Sequence, residues 1–279
     1  MANVLELKRI ANDVRIGILD AVYNAKSGHP GGALSSADIL TCLYFSELNV
    51  DPANPTMEDR DRFVLSKGHS CPAYYSVLAH KGFFPKSELV SFRHTTGLLQ
   101  GHPDMKTIKG VDMSAGSLGQ GFSVACGMAL SAKISGKLYR TYCMIGDGES
   151  QEGQIWEATA FASHYQLDNL CLFIDNNGLQ IDGKVKDVMN NMPYSTKFKA
   201  FGWHVINIDG HDMEQILNAL DEARATKGKP TVIIAKTVKG KGVSFMENQV
   251  GWHGKAPNQE QYESAISELL ANKAALGGN

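Results

Sequence analysis

Short apolar runs alternate with longer stretches of helical periodicity in the middle of the chain. YRTYCMI, NLCLFIDNN, WHVINID and PTVIIAKTV are compact apolar runs that predict strands. EGQIWEATAFASHYQL and MEQILNALDEARAT, which lie between them, carry apolar residues at helical spacing. Strands that alternate with helices of this length predict an α/β fold, in which a doubly wound parallel sheet is flanked by helices.

Helical patterns also occupy both ends of the chain. MANVLELKRIANDVRIGILDAV predicts an amphipathic helix rather than a signal peptide, and QEQYESAISELLANKAALGGN predicts a last helix that frays at its glycines. A second helix follows KSGHPGGALSS, where Pro30 interrupts the period and Ser35 or Ser36 can cap the helix. RFVLSKGH predicts a short strand from Phe63 to Leu65. No repeat or Pro/Gly/Ser-rich linker divides the chain, so we expect one domain over residues 1–279.

The segment from Met113 to Ala132 has no charged residue over a length that could cross a membrane. Its glycines and serines interrupt the apolar surface, so we expect no membrane span and a cytoplasmic protein. Small residues in this segment fit either core packing or a buried subunit interface; they are Gly121, Ala125, Cys126, Ala129 and Ser131.

Composition narrows the class of protein further. The formal net charge is -2 and no long basic tract occurs, which argues against nucleic acid as the main partner. The cysteines are odd in number, widely spaced and without a CxxC pair, so we expect reduced thiols, with neither a disulfide framework nor a thiolate metal site.

Polar side chains follow two of the predicted strands at the point where each strand ends. Asp147 lies between two glycines after the first, and Asn176 and Asn177 end the next. A right-handed crossover brings these ends to one edge of the sheet, where ligands collect. A few oxygen ligands suit Mg²⁺ or Ca²⁺, with water and phosphate completing the shell. The helix expected to begin near Ser150 to Glu152 would offer its N–H groups to a phosphate.

A series of motifs resembles one enzyme family. SGHPGGALSSADI, DRFVLSKGHS, GHPD, GSLGQGFSVACGMA, GDGESQEGQIWEA, DNNGLQIDG, KFKAFGWHVINIDGHD and KGKGVSFMEN with a later WHG follow one another along the chain. GDG and NN, separated by 27 residues, resemble the thiamine diphosphate fingerprint, and the series resembles the transketolase family over nearly the whole chain. The resemblance covers the N-terminal, diphosphate-binding part of a transketolase. It therefore implies the N-terminal subunit of a split transketolase.

The resemblance implies thiamine diphosphate and Mg²⁺, or Ca²⁺, as cofactors. The metal ligands would be the side chains of Asp147 and Asn177 and the backbone carbonyl of Leu179. Four histidines in glycine-flanked loops would line the channel above the thiazolium ring, bind sugar oxygens and assist proton transfer: His29, His69, His102 and His253. The cofactor itself would contact His69, Gly116, Ser117, Leu118, Asp147, Gly148, Glu149, Asn177, Leu179 and His253, with the Glu149 side chain largely solvated.

Two further acids stay open. Glu152 fits the first turn of a helix, where the dipole favours an acid, but the resemblance also implies a subunit contact and a proton relay between two cofactors. Glu157, one turn on, is undecided. Two positions depart from many transketolases, which carry Pro in place of Ser117 and Asn or another residue in place of Lys67. The role of Lys67 beside His69 is therefore open.

The implied activity needs a second polypeptide. The glutamate that assists cofactor activation in this family belongs to the pyrimidine-binding domain, which we expect, with the C-terminal domain, on a partner chain in an α2β2 heterotetramer. Together they would transfer a two-carbon ketol unit from a ketose phosphate to an aldose phosphate, as in the pentose phosphate pathway. Three alternatives stay open: another thiamine diphosphate enzyme, a transketolase for a sulfonated or branched ketose, and a non-catalytic binding subunit.

Overall fold

The computed structural model describes residues 3–277. The outermost residues of the expected domain, 1–2 and 278–279, lie outside the described residues, and with them the last glycine of the C-terminal pattern. The helices are α1 (Val4–Ala25), α2 (Pro30–Cys42), α3 (Cys71–Lys81), α4 (Gln120–Ile134), α5 (Gly153–His164), α6 (Val185–Val188), α7 (Tyr194–Ala200), α8 (Met213–Ala225) and α9 (Gln259–Ala275). The strands are β1 (Arg62–Leu65), β2 (Thr141–Gly146), β3 (Leu170–Asn176), β4 (Leu179–Gln180), β5 (Gly183–Lys184), β6 (His204–Asp209) and β7 (Thr231–Lys236).

Five strands form a parallel sheet in the order β1-β2-β3-β7-β6, while β4 and β5 make a small antiparallel pair. Side chains along each central strand alternate between two hydrophobic cores. On β2, Tyr142 and Met144 pack in the core that contains α1, α2 and α3, whereas Cys143 and Ile145 pack in the core that contains α4 and α5. A sheet buried on both faces by helices confirms the predicted doubly wound α/β fold.

The start of α2 differs from the prediction. The helix begins at Pro30, with His29 as the N-cap residue, so Ser35 and Ser36 lie inside the helix and the capping prediction was wrong. Proline suits the first helical position because it needs no N–H partner there and its φ is already helical. The Ser35 hydroxyl donates instead to Asp175 Oδ2 at 2.7 Å, across the interior.

The uncharged segment before β2 becomes a loop followed by α4, which begins at Gln120. Within residues 3–277, no helix has both the length and the apolar character needed to cross a membrane. Core packing is the outcome for most of the small residues of α4: Gly121, Ala125, Cys126 and Ala129 are buried, and a Cβ on Gly121 would lie 2.7 Å from Ser66 Cα. Ser131 is exposed. The five cysteines are free, as the composition predicts, and all five are buried.

Candidate functional site

The carboxyl ends of β2 and β3 bring the expected polar groups together. Gly146 pairs with Asp175 in the parallel register, so Asp147 and Asn177 follow at the same edge of the sheet. The amide of Gly178 donates to Asp147 Oδ2 at 2.5 Å. A cavity of about 320 Å³ opens here, which we call the cofactor cavity. Its lining comprises His29, Gly32, Lys67, His69, Gly116, Leu118, Gly146, Asp147, Gly148, Glu149, Asp175, Asn177, Leu179, Gln180, Ile181, Lys239 and His253.

Asp147 is a buried carboxylate whose hydrogen-bond partners are neutral. Its side chain accepts from the Gly178 amide and from the Tyr194 hydroxyl, the latter at 3.1 Å from Oδ1. Burial raises the pKa of Asp147 to about 7, partly offset by the Gly178 hydrogen bond. A buried carboxylate held only by neutral donors suits a cation, because a positive charge in the cavity would restore its ionised form.

Asn177 and Leu179 lie at the same edge of the sheet as Asp147. The Asn177 amide group donates through Nδ2 to Asp175 Oδ2 at 3.2 Å, and its Oδ1 accepts from the Leu179 amide at 3.1 Å. Both residues line the cofactor cavity together with Asp147. The Asp147 carboxylate and the Asn177 amide oxygen are hard oxygen donors in one cavity, the kind of ligand that Mg²⁺ and Ca²⁺ prefer.

Three of the four expected histidines form a cluster on the cavity wall. The ring centroid of His69 lies 5.2 Å from that of His29 and 5.2 Å from that of His253. Burial, helped by nearby cationic groups, lowers the pKa of His29 to about 4 and that of His253 to about 3. All three rings are therefore neutral near pH 7, since the pKa of His69 is also well below its usual value. His29 Nδ1 is buried without a hydrogen-bond partner, which leaves one polar atom of the cluster unsatisfied.

The remaining expected residues are divided between the cavity lining and the exposed surface. Gly116 and Leu118 line the cavity, but Ser117 between them is exposed. The His102 ring is exposed and lies beside Gly116, so that a Cβ on Gly116 would be 3.6 Å from its Cδ2. Glu152 is the exposed N-cap residue of α5 and is not part of the cavity lining.

Glu149 is buried, so the prediction of a solvated side chain was wrong. Only 2 % of it is exposed, and its carboxylate accepts from the Gly119 amide at 2.9 Å, the Gly146 amide at 3.1 Å and the Ser66 hydroxyl. The cause is a 3₁₀ turn over Gly148–Gln151 that folds Glu149 back onto the strand end.

The same turn corrects the predicted helix start. The α-helix begins only at Gly153, and not near Ser150 to Glu152, because the intervening residues form the 3₁₀ turn. The segment next to the cofactor cavity is therefore the turn itself, through Gly148 and Glu149. A Cβ on Gly148 would lie 3.1 Å from Gln180 Cβ, so a larger residue would press on the cavity wall.

Sequence reasoning missed a buried ion pair in the cavity wall. Asp175 accepts from the Lys67 ammonium, the Thr237 hydroxyl and the Ser35 hydroxyl. Burial opposes ionisation of Asp175, but the adjacent Lys67 and these hydrogen bonds hold its pKa below the usual value. Lys67 also donates to the Gly32 carbonyl at 2.9 Å. Its ammonium is thus engaged within the protein rather than held out for a substrate phosphate.

Lys239 is the second cation that the sequence reasoning missed. It is 2 % exposed, and its Nζ lies 3.0 Å from His253 Nδ1 in the cavity wall. Burial lowers the pKa of Lys239 to about 8. A buried ammonium near pH 7 attracts anions, so the cavity offers both a carboxylate for a metal and a cation for a phosphate. The available signal was KGKG directly after a buried strand, since loops at that edge of a parallel sheet reach the ligand.

Comparison with known proteins finds similarity over nearly the whole chain. The profile of the transketolase thiamine diphosphate-binding domain matches residues 7–274. A 6-deoxy-6-sulfo-D-fructose transketolase subunit from Clostridium sp. (strain MSTE9) is 44% identical over 95% of this chain and 96% of its own length. An apulose-4-phosphate transketolase subunit from Phocaeicola vulgatus is 42% identical, over 95% of this chain and 93% of its own length.

Longer transketolases match over less than half of their length. Human transketolase is 42% identical over 95% of this chain, which covers 42% of the human protein. The crystal structure of transketolase from Campylobacter jejuni superposes with a TM-score of 0.91 and 35% identity, covering 99% of this chain and 46% of that one. The chain thus spans nearly all of the two subunits but under half of these longer proteins.

Proposed function

The chain belongs to the transketolase family and carries its thiamine diphosphate-binding domain, and we propose that it is the diphosphate-binding subunit of a two-chain transketolase. The observation that carries this proposal is the cofactor cavity, in which Asp147 and Asn177 meet at the ends of adjacent strands. The reaction is the transfer of a two-carbon ketol unit from a ketose to an aldose.

A divalent cation fits the oxygen donors of the cavity. Asp147, the Asn177 amide oxygen and the Leu179 carbonyl would hold Mg²⁺ or Ca²⁺, and diphosphate and water would complete the shell. Within the described residues, no cluster of three or more His, Cys, Asp or Glu side chains could hold a metal by itself. Such a site therefore depends on the diphosphate for its remaining ligands, which links metal binding to cofactor binding.

The rest of the cavity suits a diphosphate and a sugar. Gly148 and Glu149 follow Asp147 in the turn, while His69, His253 and Lys239 place nitrogen atoms in the cavity wall. The loop formed by Gly116, Leu118 and, at the rim, Ser117 would lie beside the aminopyrimidine ring. The cofactor supplies the carbanion equivalent that breaks and forms the carbon–carbon bond.

The histidines would form hydrogen bonds with the hydroxyl groups of the sugar. His29 lines the cofactor cavity, where its ring would offer one hydrogen-bonding position to a substrate oxygen, and exposed His102 would offer another at the rim. Neutral imidazoles both donate and accept, so the cluster can hold hydroxyls and exchange protons with them near neutral pH.

A partner chain completes the enzyme in this proposal. The two relatives that this chain spans almost end to end are named as subunits. We infer that the pyrimidine-binding and C-terminal domains reside on the partner and that the assembly is an α2β2 heterotetramer. The start of α5 is open for a subunit contact, because Glu152 is exposed there. In the relay role, Glu152 would connect two cofactors across that contact.

The partner chain and the cofactor cavity would together select the donor and acceptor sugars. The two subunit relatives are named for 6-deoxy-6-sulfo-D-fructose and for apulose-4-phosphate, which supports an unusual ketose as the donor. A role in the pentose phosphate pathway and a cytoplasmic location stay predictions.

The proposal is tested with the chain alone and with its co-expressed partner. Binding of thiamine diphosphate with Mg²⁺ is measured by calorimetry, and turnover is followed with ketose and aldose phosphates. We expect weak binding without turnover for the chain alone, and turnover after the partner is added. Rapid turnover by the chain alone would refute the two-chain proposal, and absence of cofactor binding in the complex would refute the cofactor site. Asp147→Ala in the complex is the matched control, since it should lose binding.

A further inference from the structure

The loop that carries Lys239 into the cofactor cavity is fixed from outside that cavity. This loop, residues 237–242, follows the last residue of β7. The backbone amide of Val238 donates to His211 Nε2 at 2.8 Å, and the Lys241 carbonyl accepts from Arg15 Nε at 3.1 Å. Two side chains from distant parts of the chain thus bind the backbone on either side of Lys239.

One buried carboxylate joins these two side chains. Asp38 on α2 receives both terminal nitrogens of Arg15, at 3.0 and 2.5 Å, and lies 2.7 Å from His211 Nδ1. Its own side chain is 7 % exposed. We call Arg15, Asp38 and His211 the outer network. It lines a separate crevice of about 330 Å³, and none of its members lines the cofactor cavity.

The hydrogen bonds define the state of the histidine. Because His211 Nε2 accepts from the Val238 amide, it carries the lone pair, and the proton lies on Nδ1 facing Asp38. Burial works against ionisation of Asp38, but Arg15 and His211 lower its pKa to about 2. The network is therefore fully paired near neutral pH, with a fixed orientation of every donor.

The loop is also held from inside, which leaves little freedom for Lys239. The Gly240 amide donates to the Gly31 carbonyl at 2.9 Å, and the Lys239 carbonyl accepts from the Asn248 amide at 2.8 Å. A Cβ on Gly240 would lie 2.3 Å from the Met246 carbonyl oxygen, so the turn admits only glycine there. With the backbone fixed at these points, the Lys239 side chain extends along Gly31 to reach His253.

We propose that the outer network positions Lys239 in the cofactor cavity. Its members touch neither cofactor nor substrate; they act by holding the loop backbone so that the Lys239 ammonium meets the diphosphate. The inference rests on the proposed function, because it takes Lys239 to be a diphosphate contact. It assigns a role to His211, which is not among the four histidines that the sequence predicts as site residues.

A double-mutant cycle tests this positioning role. His211→Phe keeps an aromatic ring but removes both hydrogen bonds, and Lys239→Met removes the ammonium while keeping the length of the chain. We expect His211→Phe to weaken binding of thiamine diphosphate with Mg²⁺ to the full chain by about tenfold, the effect of a misplaced charged contact. In the Lys239→Met background the same change should weaken it by less than about twofold. An equal loss in both backgrounds would overturn the proposal.

Hydrogen exchange gives a readout that does not need the cofactor. The Val238 amide should exchange faster in His211→Phe and regain protection in His211→Gln, whose carbonyl can accept from it. Unchanged Val238 exchange in His211→Phe would also overturn the proposal. His204→Phe is the control, because His204 lies on the edge strand β6, bonds to Glu222 and does not touch the loop. If the wild-type chain and its complex bind no thiamine diphosphate, the proposed function fails, while Val238 exchange still decides whether the network holds the loop.

Discussion

The ammonium of Lys67 and the carboxylate of Asp175 form an ion pair in the wall of the cofactor cavity, where 2 % and 0 % of their side chains are exposed. Both charges are buried away from water, so each depends on the other. Asp175 also accepts from the hydroxyls of Ser35 and Thr237, and Lys67 also donates to the Gly32 carbonyl. The pair connects the segment after β1 to β3, and the Thr237 hydroxyl connects Asp175 to the loop after β7. It therefore supports the cavity rather than offering a free cation to a substrate.

Removing one member of this pair should strongly destabilise the chain. Lys67→Met leaves the Asp175 carboxylate buried without its cation, for which we expect a loss of about 3–5 kcal/mol in the free energy of unfolding. Urea denaturation followed by circular dichroism measures it. Lys273→Met is the matched control, because its pair with Asp13 at 3.0 Å is partly exposed and should contribute about 0–1 kcal/mol. Similar losses in the two variants would contradict the structural role of Lys67.

Replacing Asp147 by Asn tests the metal site without changing the shape of the side chain. The neutral amide cannot balance a divalent cation, so affinity for thiamine diphosphate with Mg²⁺ should fall by about two orders of magnitude. Calorimetry on the wild type and the variant measures the change, and titration with a chelator should abolish binding by the wild type. Asp182→Asn, an exposed acid on the β4–β5 turn, is the control and should bind normally. Normal binding by Asp147→Asn would rule out Asp147 as a metal ligand.

The edge of the sheet at which this site lies could be predicted from the sequence. Asp147 and Asn177 each end a buried apolar run, and strand alternation with helices fixes that such ends meet. The family resemblance added the glycine-flanked histidines, three of which form the cluster. These features follow from local patterns or from contiguous motifs.

Other features depend on tertiary contacts that no local pattern contains. The sequence predicts Asp175 only as part of a strand. Its partner Lys67 lies 108 positions away in the chain and reaches it only in the folded protein. The sequence predicts a solvated Glu149, because the 3₁₀ turn that buries this side chain has no periodic pattern in the sequence. The Pro30 start of α2 was missed because the glycines around it suggest a loop, although Gly31 serves close packing against the Trp252 carbonyl.

Glu149 and Glu152 should respond differently to the same substitution. Glu149→Gln places an amide nitrogen against donors from Gly119, Gly146 and Ser66, so we expect a loss of about 1–3 kcal/mol in the free energy of unfolding. Glu152→Gln should change the stability of the isolated chain by less than about 0.5 kcal/mol, because Glu152 is exposed. Urea denaturation of both variants tests this contrast.

Glu152 has its own readout in the assembled enzyme. If it lies at a subunit contact, Glu152→Gln should alter assembly or turnover with the partner while cofactor binding by the chain stays normal. Wild-type assembly, turnover and pH dependence in Glu152→Gln would leave only its position at the start of α5, where an acid is favoured by the helix dipole.

Deprotonation of Lys239 should lower the affinity for the cofactor at alkaline pH. In the free chain its pKa is lowered to about 8 from 10.5, so the folded chain loses this proton before the unfolded chain does. Above pH 8 and below 10.5 the unfolded state binds more protons, and the stability contributed by this group rises with pH. Diphosphate favours the protonated ammonium, so the linkage for binding has the opposite sign. Affinity for thiamine diphosphate with Mg²⁺ should therefore fall as pH rises above about 8, by up to about tenfold per unit.

Calorimetry from about pH 7.5 to about pH 9, a range centred on the lowered pKa, measures this fall. Lys239→Met is the matched variant, because it retains the loop but has no proton to lose. Its affinity should be lower than that of the wild type at pH near 7.5 and nearly constant across the range. The difference between the two proteins should thus shrink as pH rises, because deprotonation of the wild type removes the same charge as the substitution. Parallel curves for the two proteins would show that the ammonium of Lys239 does not bind the diphosphate.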